Sequence, residues 1–243
     1  MRAFGLIGYP LTHSFSKKYF TEKFEKLGLS DCSYENFSIA EIDEVKKILH
    51  ENPSLEGLNV TIPYKESVLK LLDEKSEVVK KIAACNCIKI VDQKLIGFNT
   101  DTIGFEKTLI TKLKPHHKKA LILGTGGAAK AVEFVLNKLG IAFKYVSRKP
   151  SARHLSYEQL SPLVLEEYTL IINTTPLGMF PNVVQAPPIP YEAISARHFL
   201  YDLVYNPAKT LFLQKGEKMG AEILNGGDML TIQAEESWNI WNS

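Results

Sequence analysis

The architecture of this chain can be read from one segment, Ala120-Leu121-Ile122-Leu123-Gly124-Thr125-Gly126-Gly127-Ala128-Ala129. Its apolar start is typical of a buried strand, and the Gly-x-Gly-x-x-Ala spacing is typical of a turn that leads into a helix. The first glycine permits a tight turn, the second lets the backbone approach a pyrophosphate, and the small third residue allows close packing. The start of the helix offers free N–H groups to phosphates. The segment therefore predicts a dinucleotide-binding unit.

Strands and helices alternate on both sides of this segment. Predicted strands lie at 3–8, 34–38, 57–61, 87–91, 95–98, 120–124, 142–147, 169–173 and 199–202. One predicted helix has Phe20, Phe24 and Leu27 on its apolar face, and others lie at 42–49, 68–82, 104–113, 128–139 and 227–241. The alternation predicts an α/β fold of two lobes, an N-terminal α/β substrate domain and a Rossmann-type domain with a parallel sheet.

The domain boundaries are predicted from the last helix. Ala234, Trp238 and Trp241 share one face of it, so we expect it to pack against the first lobe. The substrate domain is then discontinuous and comprises residues 1–102 and 227–243. The Rossmann-type domain comprises residues 103–226.

The tip of the second Rossmann-type strand indicates which cofactor is bound. A carboxylate there would bind the ribose 2′-hydroxyl of NAD, but Ser147, Arg148 and Lys149 place a hydroxyl and two cations at this position. These groups suit the 2′-phosphate of NADP, or alternatively a solvated surface turn. The threonines of residues 173–179 follow the third strand and could line the cofactor or form a turn. We therefore predict NADP.

Composition excludes several classes of protein. The 243 residues are 45% hydrophobic and 23% charged, as in a globular protein, and a formal net charge of +2 gives no reason to expect a nucleic-acid partner. No apolar stretch approaches the roughly 18 residues that span a bilayer, and the N-terminus is predicted to be a strand rather than a secretion signal. Three cysteines without CxxC spacing and six histidines without metal-ligand spacing predict a cytoplasmic protein without a metal site.

A second informative run, Asn59-Val60-Thr61-Ile62-Pro63-Tyr64-Lys65, precedes the glycine-rich segment. The proline restricts the backbone, so Lys65 is held firmly, and the pKa of a lysine shifts readily on partial burial. Further polar side chains follow predicted strands, where ligands of open α/β sheets bind. They are Ser14, Ser16, Asn59, Thr61, Asn86, Asn99, Thr100 and Asp101. Each has a structural alternative, since Ser16 could cap a helix, Asn99 or Asp101 could form a turn, and Lys65 could be exposed.

These groups suit the reduction of a polyhydroxylated ring ketone. A nicotinamide supplies the hydride, and a proton must reach the developing alkoxide. The Lys65 ammonium could donate this proton while Asp101 holds the ammonium and binds a neighbouring hydroxyl. The opposite assignment, with Asp101 as the proton carrier and Lys65 as electrostatic support, stays open because such a pair titrates as a unit.

Six motifs, in the right order between residues 5 and 241, resemble those of the shikimate dehydrogenase family. Residues 8–16 are similar to its N-terminal substrate loop, 59–65 to NVTxPxK, 97–101 to GxNTD, 124–131 to GxGGAxxA, 173–179 to NTTPxGM and 225–234 to NGxxMLxxQA. The resemblance implies reversible, NADPH-dependent reduction of 3-dehydroshikimate to shikimate, a step toward chorismate and the aromatic amino acids.

The resemblance also implies roles for individual residues. Lys65 and Asp101 are the implied catalytic pair. The residues implied to contact shikimate are Ser14, Ser16, Thr61, Asn86, Asp101, Tyr205 and Gln233, with Asn59 in support. The residues implied at NADP are Gly124, Thr125, Gly126, Gly127, Ala128, Ser147, Arg148, Lys149, Thr174, Leu203 and Gly226. The expected partner is this small-molecule substrate, with no nucleic acid, membrane or metal, and the protein is expected to be a monomer or a homodimer.

The chain departs from the family pattern in three places. The proline after the second serine and the downstream His-Asn pair are absent from residues 17–21. Cys87 replaces the threonine that usually follows the asparagine of GA(V/A)NT, and this change affects a polar contact or its support. The family usually has Asn-Arg-Thr at the tip of the second Rossmann-type strand, and here Ser147 replaces the asparagine and Lys149 replaces the threonine. None of these changes removes Lys65 or Asp101.

Three alternative functions are less favoured by the residues. A quinate/shikimate dehydrogenase that uses NAD would carry an acid near residues 147–149. A Rossmann-type binding protein without turnover would not need both Lys65 and Asp101. A folate-type dehydrogenase of similar shape is disfavoured by the paired serines and by Gln233.

Overall fold

The structure is a computed structural model, which describes residues 1–11, 14–149 and 154–243. Thr12 and His13, which belong to the predicted substrate loop, lie outside the described residues. The contacts among its residues divide the chain into two compact units: a first unit, Met1–Thr100 with Ala234–Ser243, and a second unit, Asp101–Gln233. The predicted domain boundaries, after 102 and before 227, differ from these limits, and the domain assignment stays a prediction.

The first unit contains, within the described residues, a mixed sheet of six strands in the order β2-β1-β3-β5-β6-β4. The strands are β1 (Arg2–Gly8), β2 (Cys32–Ser38), β3 (Leu55–Val60), β4 (Glu74–Lys75), β5 (Cys87–Val91) and β6 (Lys94–Phe98). β1, β2 and β3 are parallel, and β5 is antiparallel to both β3 and β6. The carboxyl ends of β1, β3 and β6 therefore share one edge of the sheet with the start of β5.

The second unit contains a sheet whose six described strands are all parallel, in the order β12-β11-β10-β7-β8-β9. The strands are β7 (Lys119–Leu123), β8 (Ala142–Val146), β9 (His154–Leu155), β10 (Leu170–Asn173), β11 (Phe199–Asp202) and β12 (Glu222–Leu224). From β7 the chain first adds β8 and β9 on one side and then β10 to β12 on the other. This reversal is the topological switch point at which open α/β sheets bind ligands.

Helices cover both faces of each sheet. They are α1 (Phe15–Leu27), α2 (Val45–Glu51), α3 (Glu77–Ile82), α4 (Asp101–Leu109), α5 (Gly127–Lys138), α6 (Pro162–Glu167), α7 (Leu211–Lys218) and α8 (Gly227–Trp241). In the second unit, α4 and α5 bury Phe105 and Val132 on one face, and α6 and α7 bury Leu165 and Phe212 on the other. Among the described residues, no helix is both long enough and apolar enough to cross a bilayer.

An aromatic cluster ties the end of α8 into the first unit. The Trp241 ring stacks on the Phe4 ring with centroids 4.8 Å apart, and the Phe20 ring stacks on Tyr34 at 4.7 Å. The Trp241 indole N–H also donates to the Ile88 carbonyl at 3.0 Å. Because these side chains are buried, their removal from water stabilises both the sheet and the position of α8.

The helix predicted at residues 68–82 is wrong. The segment instead forms a 3₁₀ turn (Ser67–Leu71), the short strand β4 and then α3. The Asp73 carboxylate accepts from the Leu95 N–H at 2.8 Å, and the Ser76 hydroxyl caps α3 by accepting from the Val79 N–H at 3.4 Å. Aspartate and serine side chains that bind backbone groups in this way compete with a continuous helix.

Candidate substrate and cofactor sites

The predicted substrate side chains of the first unit collect at the shared sheet edge. The Val60 N–H donates to the Asn86 carbonyl at 2.9 Å, and the Asn86 N–H donates to the Phe98 carbonyl at 3.1 Å. These backbone bonds join the ends of β3 and β6 to the start of β5. Asn59, Thr61 and Asn86 are therefore brought together by the sheet itself.

Lys65 lies in the segment that follows β3. Its carbonyl accepts from the Cys85 N–H at 2.7 Å, and the buried hydroxyl of its neighbour Tyr64 donates to the Ile39 carbonyl at 2.6 Å. The Lys65 side chain is half-buried. The surrounding contacts therefore fix the backbone at Lys65 while the side chain keeps partial access to solvent.

The Asn59 amide is held in one orientation by buried partners. Its oxygen accepts from the Tyr34 hydroxyl at 2.8 Å, and its nitrogen donates to the Ser237 hydroxyl at 2.9 Å and to the Asn86 carbonyl at 3.3 Å. Burial raises the pKa of Tyr34 well above its ordinary value, so this phenol stays a donor. These bonds fix the Asn59 side chain, and its supporting role at a substrate stays a prediction.

Asn86 and Asn99 are also fixed by hydrogen bonds. The Asn86 amide accepts from the Thr100 N–H at 2.7 Å and donates to the Thr100 hydroxyl at 3.0 Å. The Asn99 amide donates to the Ala84 carbonyl at 3.1 Å. The predicted polar edge is therefore pre-organised rather than loosely arranged.

The two serines of the N-terminal motif take different positions in α1. Ser14, not Ser16, is the N-cap residue, since its hydroxyl accepts from the Lys17 N–H at 3.2 Å. Ser16 is buried, and its hydroxyl partly offsets the rise that burial causes in the pKa of the Tyr34 phenol. Phe20, within the segment that departs from the family pattern, packs on the same phenol ring.

Three predicted substrate residues belong to the second unit. Asp101 is the first residue of α4 and is buried. Gln233 is buried in α8 and donates to the Leu230 carbonyl at 3.1 Å. Tyr205 follows β11 with 38% of its surface exposed, and partial burial raises the pKa of its phenol. Their roles at a substrate stay predictions.

The predicted cofactor residues of the second unit all lie at the carboxyl edge of its sheet. Gly124 to Ala128 follow β7, Ser147 to Lys149 follow β8, Thr174 follows β10, Leu203 follows β11 and Gly226 follows β12. The Leu203 N–H donates to the Asn173 carbonyl at 3.0 Å, and the Gly226 N–H donates to the Val204 carbonyl at 3.3 Å. One sheet edge therefore carries the whole predicted set.

The glycine turn has the backbone that the sequence predicts. Gly124 has a φ of +105°, and an added Cβ there would lie 2.7 Å from the Thr174 hydroxyl oxygen. The Thr174 hydroxyl itself donates to the Leu123 carbonyl at 2.7 Å. Thr174 therefore supports the turn at least as a structural residue, and contact with a cofactor stays a prediction.

The space beside the N-terminus of α5 fits a pyrophosphate. Gly126 is the N-cap residue and is exposed, and a Cβ added to it would meet no atom within 4 Å. The first N–H groups of an α-helix have no partner within the helix, and they lie at the positive end of its dipole. Thr125 is exposed, and Gly127 and Ala128 are half-buried. Gly124 to Ala128 are thus suited to hold a dinucleotide.

The tip of β8 is cationic. Arg148 and Lys149 are exposed, and the Ser147 hydroxyl accepts from the Lys149 N–H at 3.2 Å. A phosphate placed here would meet a hydroxyl and two cations. The arrangement matches the chemistry that we predicted for the 2′-phosphate of NADP.

Sequence analysis missed a buried carboxylate at the same edge. Asp202 accepts from the Thr210 hydroxyl at 2.5 Å, the Asn173 amide at 3.0 Å and the Val204 N–H at 3.0 Å. Burial raises the pKa of Asp202 to about 6. The Asn173 amide in turn accepts from the Thr175 hydroxyl at 2.6 Å, so this network ties together the loops that follow β10 and β11.

Known proteins resemble this chain over nearly its whole length. Residues 6–88 match the family described as the shikimate dehydrogenase substrate binding domain. The chain is 35% identical to a protein of Caldicellulosiruptor saccharolyticus named shikimate dehydrogenase (NADP(+)), over 99% of this chain and 92% of that protein. The chain belongs to the shikimate dehydrogenase family.

Solved structures of family members have the same fold. Shikimate dehydrogenase 1 from Peptoclostridium difficile is 35% identical, with a TM-score of 0.87 over 100% of this chain and 92% of that one. Shikimate 5-dehydrogenase from Thermus thermophilus, in complex with NADP(H) and shikimate, is 30% identical, with a TM-score of 0.87 over 99% of this chain and 93% of that one. The predicted family and the predicted α/β fold are thus confirmed.

Proposed function

We propose that this protein is an NADP-dependent oxidoreductase that reversibly reduces 3-dehydroshikimate to shikimate, on the route to chorismate and the aromatic amino acids. The observation that carries the proposal is 35% sequence identity, over 99% of this chain, to a relative named shikimate dehydrogenase (NADP(+)). The polar edge of the first unit and the glycine turn of the second unit support it with the side chains that such a reaction needs.

The second unit would hold NADP at its carboxyl edge. The N-terminus of α5 and the turn at Gly124 suit the pyrophosphate, and Arg148 and Lys149 suit the 2′-phosphate. When bound, NADPH supplies the hydride. The residues themselves bind, orient and shield this cofactor.

Lys65 and Asp101 are proposed to carry out proton transfer to the substrate oxygen. When the ketone carbon accepts hydride, its oxygen gains negative charge, and the Lys65 ammonium can donate a proton to it from Nζ. A carboxylate at Asp101 would favour the ammonium form and bind a neighbouring substrate hydroxyl. The reverse assignment of donor and support is distinguished by separate substitution of the two residues.

The remaining polar groups are proposed to orient the ring. The Asn86 amide and the hydroxyls of Ser14, Ser16 and Thr61 suit the hydroxyls and carboxylate of shikimate, as do Tyr205 and Gln233. Asn59 supports them through its buried bonds. Hydroxyl and amide donors hold a carboxylate without adding a cation that would compete with Lys65.

A cytoplasmic location is proposed because Cys32, Cys85 and Cys87 are free thiols. The protein is proposed to act as a monomer or a homodimer. Light scattering coupled to size-exclusion chromatography distinguishes the two.

The test is an absorbance assay of NADPH or NADH formation in which shikimate and quinate are each combined with NADP and with NAD. We expect the highest kcat/KM for shikimate with NADP. Faster turnover of quinate with NAD would favour the quinate/shikimate alternative, and absence of turnover in all four combinations would contradict the proposal.

A further inference from the structure

Ser237 is a fully buried hydroxyl on the inner face of α8, between Ala234 and Trp241. Burial of a hydroxyl is costly unless it forms hydrogen bonds. The neighbours of Ser237 on this face are an alanine and a tryptophan of the aromatic cluster, so an apolar side chain would be the simpler choice for packing. Its partners therefore indicate what the hydroxyl does.

The Ser237 hydroxyl joins two parts of the predicted substrate edge. It accepts from the Asn59 amide at 2.9 Å and lies 3.4 Å from the Thr100 hydroxyl oxygen. The Thr100 hydroxyl is bonded in turn to the Asn86 amide, with 3.0 Å to the nitrogen and 3.3 Å to the oxygen. The Asn86 amide oxygen can accept from the Thr100 hydroxyl, and in that arrangement the Ser237 hydroxyl is the donor to Thr100. One hydroxyl thus connects Asn59 on β3 with Asn86 at the start of β5.

Cys87 explains why this hydroxyl is needed. The side chain that follows Asn86 is the buried thiol of Cys87, which packs in the same cluster as Ala234 and Trp241. Cys87 lies opposite Asn59 in the pairing of β5 with β3, and the Asn59 amide is the group that donates to Ser237. A thiol is a weak donor and a weak acceptor, so Cys87 cannot replace a hydroxyl in a buried network.

We propose that Ser237 is a positioning residue of the substrate site and that it supplies, from α8, the hydroxyl that the buried Cys87 thiol does not provide. The inference rests on the proposed function, because it assigns Asn86 and its support by Asn59 to shikimate. Ser237 does not itself touch substrate. It acts by fixing the orientations of the two amides.

The effect of Ser237→Ala follows from the bonds that it removes. Asn59 keeps only its longer bond from the amide nitrogen, to the Asn86 carbonyl at 3.3 Å, and Thr100 loses one neighbour. We expect the KM for shikimate to rise about tenfold, as for the loss of one buried hydrogen bond. We expect the KM for NADP to change less than about twofold and kcat less than about threefold, because Lys65 and the cofactor edge are unaltered.

The experiment compares Ser237→Ala with the double variants Cys87→Ser/Ser237→Ala and Cys87→Thr/Ser237→Ala. Both doubles return a hydroxyl to the cluster, and serine does so without added volume. We expect at least one double variant to restore the shikimate KM to within about twofold of wild type. Thr231→Ala, which removes an exposed hydroxyl from the same helix, is the matched control and should leave the shikimate KM unchanged.

The measurements are steady-state kinetics and the melting temperature of each variant. Calorimetry in the absence of NADP measures shikimate binding without turnover. A lower melting temperature in Ser237→Ala with an unchanged shikimate KM would overturn the inference, as would failure of both double variants to restore the KM. Absence of shikimate turnover by the wild-type protein would instead overturn the proposed function, and the inference with it.

Discussion

At the scale of single residues, substitution of Lys65 tests whether its side chain acts in proton transfer or in substrate binding. Its backbone is fixed by Cys85 and by the anchored neighbour Tyr64, so truncation of the side chain should leave the surrounding structure in place. If Lys65 acts in proton transfer, its loss affects the transition state far more than the bound ground state.

We therefore expect Lys65→Ala to lower kcat at least about 10²-fold while the shikimate KM changes little. The exposed Lys70, which pairs with Asp43 at 2.8 Å, is the matched control, and Lys70→Ala should retain full activity. Steady-state kinetics with shikimate and NADP measure both. An effect of Lys65→Ala on KM alone would show that its role is binding.

A second prediction at this scale concerns cofactor choice. Arg148 is exposed at the tip of β8, where a 2′-phosphate would lie. Arg148→Ala should raise the KM for NADPH at least about tenfold and leave the KM for NADH nearly unchanged, because only NADPH carries that phosphate. Lys144→Ala, on the same strand but not at its tip, should change neither. Equal changes with the two cofactors would contradict the assignment of Arg148.

Predictability differed sharply among residues. Gly124 could be assigned because only a glycine spacing of that kind suits the turn, and its φ of +105° agrees. Tyr34, Thr100 and Ser237 lie in the middle of the hydrogen-bond network around Asn59, but only Thr100 was singled out, and with no role. A serine on the buried face of an amphipathic helix was the available signal for Ser237. Its partner on β3 was not visible in the sequence because the two are brought together only by folding.

At the scale of elements, the turn between β7 and α5 combines backbone strain with a steric limit. Gly124→Ala would place a Cβ at positive φ and against the Thr174 hydroxyl oxygen. Gly140, just after α5, has a φ of +67° and open space around its missing Cβ. An alanine at Gly140 therefore adds only backbone strain, whereas an alanine at Gly124 adds strain and a steric contact.

We expect Gly140→Ala to cost about 1 kcal/mol of stability and to leave cofactor affinity unchanged. Gly124→Ala should cost more and also raise the KM for NADP at least about tenfold, because the turn must shift away from Thr174. Melting temperatures and steady-state kinetics of the two variants give the comparison. Equal cofactor affinity in both variants would show that the turn tolerates the displacement.

The elements themselves were predicted unevenly. Strand β7, the turn and α5 were recovered because a strong local pattern and the tertiary fold agree. α6 was missed although Ser161 and Pro162 form a typical helix start, with the serine hydroxyl accepting from the Val164 N–H at 3.4 Å. β4 and β9 have two residues each, and so short a strand has no period to detect.

At the scale of the whole molecule, acid stability should depend on His117. This histidine is buried, its Nδ1 accepts from the Lys114 N–H at 3.0 Å, and Nε2 lies 3.3 Å from the Arg197 carbonyl oxygen. Nδ1 can accept only when unprotonated, so the neutral ring is the one that fits. Burial, with the neighbouring His116, lowers the pKa of His117 to about 4, below its ordinary value of 6.5.

Between these two pKa values the unfolded chain binds more protons than the folded chain, so stability falls as the pH falls from about 6.5 to about 4. His117→Asn keeps an acceptor but cannot titrate. Between about pH 7 and pH 5 we expect the wild-type protein to lose about 2 kcal/mol more stability than this variant, read from urea unfolding midpoints. The control is His50→Asn, at an exposed histidine of α2 in the first unit, which should behave like wild type.

Titration of Asp202 changes the stability of the fold with pH in the opposite direction. Its pKa is raised to about 6 from an ordinary 3.8, so its contribution to stability decreases as the pH rises through that interval. Comparison of wild type with His117→Asn cancels this contribution, because Asp202 is present in both. Identical acid sensitivity of the two proteins would show that His117 is not the titrating group.

The stacking of Trp241 on Phe4 has a consequence for biosynthesis. These rings come from opposite ends of the chain, so a ribosome has already released the strands of the first unit and all of the second unit before the last turn of α8 emerges. Phe4, Phe20 and Tyr34 can pack with one another early, but they lack their contacts with Trp241 throughout most of translation. Late closure of this aromatic surface makes the growing polypeptide a natural client for chaperones that cover exposed apolar groups.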